Sequence, residues 1–146
     1  MFSLEKAKTS LEFDKIIDER SLKCVSQTGK ARLKNCTPLF DTQHLQDILT
    51  QVQEMRDIYI FEGGLPIWEF SDIRILLNKI EPVDSYLEIQ DCLKIQNVLE
   101  ITLDILKFFK KTEDKFPYLN KLTEKLNLNE QLLKQLKFTI DPSGNI

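Results

Sequence analysis

One run of residues constrains the fold more than any other, an amphipathic stretch that begins at Asp41. Asp41 has a side chain suited to a helix N-cap. Gly63-Gly64, followed by Pro66, supplies a left-handed C-cap and prevents the helix from continuing. Between these ends, apolar residues recur at the i, i+3, i+4, i+7 spacing of one helix side: Leu45, Ile48, Leu49, Val52, Met55 and Tyr59. The pattern predicts a helix from Asp41 to Glu62 with these residues on its apolar side.

Further helices are indicated on both sides of this stretch. Capping-box sequences, with a hydroxyl residue three positions before Glu, occur at Thr9-Ser10-Leu11-Glu12 and at Ser85-Tyr86-Leu87-Glu88. The second predicts the start of a long, central helix that runs to about Lys111. Shorter helices are predicted over residues 22–35, 71–79, 118–125 and 129–137, the last of them capped by Asn127.

The C-terminal residues have turn chemistry instead. Asp141-Pro142-Ser143-Gly144 matches a type I β-turn, since Pro presets φ at the second position. The turn lies between the β-prone run Phe138-Thr139-Ile140 and a lone Ile146. We therefore expect a short β-turn or strand segment here, in a chain truncated from a longer parent.

The composition agrees with a helical fold. Only four Gly and five Pro occur in 146 residues, too few for the many tight turns of a β-sandwich. We predict an all-α class, an irregular helical bundle around one or two long helices. Residues 1–137 are assigned to a helical core domain and residues 138–146 to the start of a β-hairpin or a linker.

Charge and cysteine content limit which cell compartment and which binding partners we expect. The formal charge is −3, which weighs weakly against a strong nucleic-acid binder. The three cysteines, Cys24, Cys36 and Cys92, have neither zinc spacing nor a disulfide framework, which suits a reducing compartment. The N-terminus lacks a signal-peptide core, and no apolar run reaches membrane-spanning length. We expect a cytoplasmic protein with no membrane partner.

No residue pattern for catalysis is visible. The only histidine, His44, stands in the first turn of an amphipathic helix, where solvation is the usual role. The one Gly-Lys pair, Gly29-Lys30, is not a phosphate-binding loop, because Cys24 replaces the first Gly and Ala31 the hydroxyl residue. The carboxylate pairs Asp14/Asp18 and Glu100/Asp104 are interpreted as solvated helix positions. The sequence thus predicts no catalytic, cofactor-binding or metal-binding residue.

Two loose clusters of basic residues leave a binding role open. One cluster contains Lys23, Lys30, Arg32 and Lys34, and the other Lys107, Lys110, Lys111 and Lys115. Phe108, Phe109 and Phe116 are interleaved with the second cluster, which could form a nucleic-acid surface with stacking aromatics. The alternative is that Phe108 and Phe109 belong to the core and the lysines form a solvated helix end.

A series of short motifs resembles the N-terminal core region of the bacterial MutS family. The similarity is greatest to the second-type branch, the anti-recombination proteins that lack the mismatch-reading domain and carry an Smr nuclease domain. The motifs occur in the family's order: Ser10-Leu11-Glu12-Phe13-Asp14-Lys15-Ile16, Thr28-Gly29-Lys30, Pro38-Leu39, Gln53-Glu54, Gly64-Leu65-Pro66, Asp72-Ile73-Arg74, Leu87 at a helix start, and Ile140-Asp141-Pro142-Ser143-Gly144-Asn145-Ile146. One departure is Asp84-Ser85-Tyr86, where family members often have glycine.

The resemblance implies a homodimeric ATPase parent that clamps branched or mismatched DNA and cuts it through the Smr domain. It also allows contact with the ribosome or rRNA. ATP, Mg²⁺ and the nuclease residues would then belong to segments beyond Ile146, so none is assigned to this chain. The chain itself would be a structural relay between the ATPase and the clamp.

Two other functions stay open alongside that one. The chain could be a nucleic-acid-binding module in its own right, which predicts binding that weakens steeply with salt. It could also be a helical interaction or adaptor module unrelated to MutS. An enzymatic role for the chain itself ranks last, because no nucleophile–base or metal set is visible.

Overall fold

The computed structural model describes residues 4–140 and confirms the all-α class. Within that range the chain forms eight α-helices and no β-strand. The helices are α1 (Leu4–Ser10), α2 (Phe13–Ser21), α3 (Gln27–Lys34), α4 (Thr42–Phe61), α5 (Arg74–Lys79), α6 (Ile89–Lys111), α7 (Pro117–Thr123) and α8 (Glu130–Thr139). The two long helices, α4 and α6, are those that the sequence predicts.

The contacts divide the chain into two compact units, residues 1–38 and residues 39–146. In the first unit, α2 contacts both α1 and α3. The predicted capping box before α2 is wrong, because Glu12 stands at the N-cap with a left-handed φ of 50° and makes no capping hydrogen bond. Helix α3 does have a side-chain cap, since the Ser26 hydroxyl accepts from the Gly29 backbone N–H at 3.1 Å.

The second unit is built on α4 and α6. Helix α7 contacts both of them, and α8 packs on α6. The core cluster comprises Ile58, Phe109, Phe116 and Leu119, with Met55, Leu65, Ile105 and Phe108 partly buried against it. Helix α6 is therefore contacted from more than one side, as its wide apolar surface predicts.

The ends of α4 are formed as predicted. The Asp41 carboxylate accepts from the backbone N–H of Gln43 at 2.9 Å and of His44 at 3.4 Å. At the other end, Gly63 and Gly64 have φ of 79° and 104°, the region that glycine enters without strain. The Gly64 N–H donates to the Ile58 carbonyl at 3.2 Å, and the Glu62 N–H donates to the same carbonyl at 3.0 Å, so both bonds close the last turn of the helix.

Two other predicted caps are wrong. The Ser85 hydroxyl donates to the Pro82 carbonyl at 2.6 Å and closes the preceding turn, while the N-cap position of α6 is taken by Glu88, which makes no capping hydrogen bond. Helix α6 begins only at Ile89. Helix α8 is capped by Asn129 and not by Asn127, because the Asn129 side chain accepts from the Leu132 N–H at 3.0 Å.

The predicted C-terminal β segment is not confirmed. Helix α8 continues through Phe138 and Thr139, and its last turn is closed by the Ile140 N–H, which donates to the Leu136 carbonyl at 2.9 Å. The predicted turn at residues 141–146 lies outside the described residues.

Candidate functional site

The residues considered for catalysis are dispersed over the structure. His44 is exposed in the first turn of α4. Gly29 and Lys30 lie inside α3, where the Gly29 N–H is already bonded to the Ser26 hydroxyl. Within residues 4–140, no group of three or more His, Cys, Asp or Glu could hold a metal ion.

Three of the four carboxylates considered for acid–base chemistry lie near a lysine ammonium. Asp18 lies 3.5 Å from the Lys34 ammonium, and Asp104 lies 3.8 Å from Lys107. Glu100 accepts from Lys137 of α8 at 2.8 Å. These contacts are partly or wholly exposed to solvent, where ion pairs contribute little free energy. Their geometry is that of structural surface pairs.

The second basic cluster is not a stacking surface. Phe109 and Phe116 are buried in the core, and the Phe108 and Phe109 rings meet edge to face with centroids 5.3 Å apart. Lys115 is held by Glu62, whose carboxylate oxygen lies 2.7 Å from its ammonium. The interpretation of the phenylalanines as core residues is confirmed, so no aromatic ring of this group is available to a base.

A buried polar contact joins α4 to α7. Glu54 of α4 is 8% exposed. One of its carboxylate oxygens accepts from the Tyr118 N–H at 3.0 Å and the other from the Leu119 N–H at 2.7 Å. A carboxylate at a helix N-terminus satisfies open N–H groups and interacts favourably with the helix dipole. Glu54 thus caps a helix that lies more than sixty residues away in sequence.

Sequence reasoning missed Glu54, although one signal pointed to a distant cap. The N-cap position of α7 is occupied by Phe116, whose side chain cannot accept a hydrogen bond, and Pro117 follows it. The N–H groups of the next two residues therefore need an acceptor from elsewhere in the fold. What the sequence does not show is which carboxylate supplies it.

The apolar side of α4 is only partly covered. Ile58 is fully buried, whereas Leu49 is 54% and Val52 60% exposed. Leu45 and Tyr59, which continue the same side at helical spacing, are exposed as well. We call Leu45, Leu49, Val52 and Tyr59 the open face of α4. The helical spacing predicts that these residues share one side of α4, and the structure adds that this side is only partly buried.

Asp72 and Arg74 form a local ion pair just before α5. The Asp72 carboxylate accepts from the Arg74 guanidinium, with Nε at 2.9 Å from one oxygen and Nη2 at 2.5 Å from the other. The side-chain hydrogen bond from Arg74, aided by the Arg74 backbone N–H, lowers the pKa of Asp72 to about 2.

This pKa gives a testable pH dependence. Because the folded-state pKa of Asp72 is lower than its ordinary 3.8, the pair favours the folded state above that value and loses this effect as pH falls toward 2. We expect the Asp72 carboxyl carbon to titrate near pH 2 by NMR, and at a higher pH in Arg74→Gln, still below 3.8 because the backbone N–H of residue 74 is retained. Identical titration in both proteins would show that Arg74 does not hold the carboxylate.

Comparison with known proteins gives a consistent result. The chain is 30% identical over 137 residues to the endonuclease MutS2 of Streptococcus thermophilus strain ATCC BAA-491, which covers 93% of the chain and 17% of that protein. It is 28% identical over 97% of its length to the endonuclease MutS2 of Lacticaseibacillus casei and 26% identical over 96% to that of Aquifex aeolicus. No family model and no solved structure matches.

These matches confirm the resemblance to the second-type branch of the MutS family and are consistent with an N-terminal MutS2 region. The chain spans less than a fifth of the length of these relatives. Among the helices of residues 4–140, none is long and apolar enough to cross a membrane.

Proposed function

We propose that this chain, similar to MutS2 over nearly its whole length, serves as the first helical section of a MutS2-type DNA-processing protein. Its role is structural, and it relays conformational change without catalysis of its own. The observation that carries this proposal is the similarity to proteins named endonuclease MutS2 over 93% of the chain in one relative and 97% in another. ATP hydrolysis with Mg²⁺, DNA cleavage, homodimer formation and the clamping of branched or mismatched DNA belong, in this proposal, to other parts of such a protein.

The joint between α4 and α7 supports a relay role. Glu54 fixes the N-terminus of α7 by two charged hydrogen bonds, and Ile58 one turn later packs on Phe109 of α6 and Leu119 of α7. Hydrogen bonds to ionised groups are stronger than neutral ones, and a well-packed core transmits displacement because it deforms little. In this proposal, movement of α4 is passed to α6 and α7 through this joint.

The open face of α4 supports a role as a component that packs on further protein. Its four residues follow one another along one side of a 20-residue helix. Contiguous exposed apolar side chains mark interaction surfaces in soluble proteins. Because the relatives are more than five times longer than the matched segment, a MutS2-type protein has other segments that can cover this face.

A substitution on the open face tests this proposal. Leu49→Asp is expected to change the free energy of unfolding by less than about 1 kcal/mol, mostly through helix propensity, because the side chain is already exposed. It is also expected to reduce binding of the dye ANS, which reports exposed apolar surface. Gln53→Asp, on the polar side of α4, is the matched control and should leave dye binding unchanged.

Two results for Leu49→Asp would contradict the proposed packing role of α4. If Leu49→Asp unfolds the chain, Leu49 is part of the stabilising core and α4 has no open face. If dye binding is the same in Leu49→Asp and in the parent, the exposed apolar surface lies elsewhere and the packing role of α4 is wrong.

A further inference from the structure

Positive charge is concentrated near the start of the chain. Residues 20–38, which we call the basic segment, contain Arg20, Lys23, Lys30, Arg32 and Lys34 and no Asp or Glu. The first compact unit, residues 1–38, has eight Lys or Arg against five Asp or Glu, a formal charge of +3. Residues 39–146 have twelve Lys or Arg against eighteen Asp or Glu, a formal charge of −6. The two charges partly cancel in the net charge of the whole chain, which is −3.

The cations of the basic segment are accessible. Lys23, Arg32 and Lys34 are exposed and Lys30 is half-buried. Within residues 4–140, the one ion pair made by this segment joins Lys34 to Asp18 at 3.5 Å, with both side chains at least half exposed. Such a pair contributes little free energy, so a phosphate can replace Asp18 at small cost.

The four lysines of the basic cluster near the end of α6 are exposed as well, but two of them have carboxylate partners. Lys107 lies near Asp104 and Lys115 is bonded to Glu62. This cluster also belongs to the acidic part of the chain, whose net charge repels a polyanion. Of the two clusters considered from the sequence, only the basic segment combines accessible cations with an excess of positive charge.

We propose that the basic segment binds the phosphate backbone of nucleic acid without reading its sequence. This inference rests on the proposed function, which places the chain in a DNA-processing protein. Helix α3 carries three of the five cations in its eight residues, and the segment has no aromatic side chain that would stack on a base. Lys and Arg contacts to phosphate position a protein on nucleic acid and carry no sequence information.

Salt dependence of duplex binding tests the proposal. We expect the 146-residue chain to bind a fluorescein-labelled DNA duplex with a dissociation constant of about 10⁻⁴–10⁻⁶ M near physiological salt. Four phosphate contacts give a slope of about −3.6 in log K against log salt, so the affinity should fall about 100-fold between 50 and 200 mM salt. A duplex of different base sequence should bind equally well.

Two triple variants with equal change in net charge locate the surface. Lys30→Gln/Arg32→Gln/Lys34→Gln keeps Arg20 and Lys23, so at most two contacts remain and its affinity should fall about 12-fold or less over the same salt range. The control, Lys107→Gln/Lys110→Gln/Lys111→Gln, should behave as the parent. Circular dichroism and denaturant unfolding of both variants check that each remains folded.

Several outcomes would overturn the proposal. They are an absence of duplex binding at 50 mM salt, an affinity that does not change with salt concentration, and an equal loss of duplex affinity in the two triple variants. Tighter binding to an acidic peptide such as polyglutamate than to the duplex would assign the segment to a protein partner instead. None of these results bears on the open face of α4, so a failure here is distinguishable from a failure of the proposed structural role.

Discussion

Ile58→Ala is expected to lower the free energy of unfolding by about 2–5 kcal/mol, the range for removing a large aliphatic side chain from a core. Ile58 is completely buried, at the centre of the cluster with Phe109, Phe116 and Leu119. Because these side chains come from helices that other contacts hold in place, the cavity can collapse only in part. Denaturant unfolding followed by circular dichroism measures the loss.

The same helix supplies a matched control two residues away. Ile60 is 58% exposed, so Ile60→Ala removes the same atoms with little change in buried area. We expect its effect to stay within about 0.5 kcal/mol. Equal destabilisation by the two substitutions would contradict the placement of Ile58 in the core and of Ile60 on the surface.

Glu54→Ala is expected to destabilise the chain by about 2–4 kcal/mol, because it leaves the N–H groups of Tyr118 and Leu119 without their charged acceptor. The Leu119 N–H is buried with Glu54, so water replaces the carboxylate poorly. Glu54→Gln should also be destabilising, since its amide has one oxygen for two N–H donors and places an NH₂ group against the second.

Glu113→Ala is the control for this prediction. It removes a carboxylate from the exposed turn just before α7. The N–H groups of Tyr118 and Leu119 keep Glu54 as their acceptor in this variant. Its expected effect is below about 0.5 kcal/mol. Hydrogen exchange adds a site-specific readout, because the Tyr118 and Leu119 amides should lose protection in Glu54→Ala. Unchanged protection there would show that Glu54 does not cap α7.

The sequence predicts the helices well because helical periodicity and end signals are local. Asp41, Gly63 and Gly64 act through neighbouring backbone groups, and the structure forms the ends of α4 as expected. Capping boxes are local too, yet Ser85 does not cap α6, because the helix begins four residues later, at Ile89. A local end signal therefore indicates that a helix follows better than it fixes the first residue.

The candidate site could not be predicted because it depends on partners distant in sequence. Periodicity places Leu49 and Ile58 on the same helix, but it does not show which of them another helix covers. The role of Glu54 depends likewise on α7 reaching α4. The basic residues were visible in the sequence, whereas the carboxylate partners of Lys34, Lys107 and Lys115 required the structure.

Exchange of the matched segment tests the structural role most directly. In the endonuclease MutS2 of Streptococcus thermophilus, the segment matched over 137 residues would be replaced by this chain. We predict that DNA cleavage by the chimera stays within about tenfold of the parent enzyme, a difference of about 1.4 kcal/mol. Adding Leu49→Asp should reduce cleavage further, while Gln53→Asp should not. A chimera that does not fold, or a folded one without cleavage, would contradict the account.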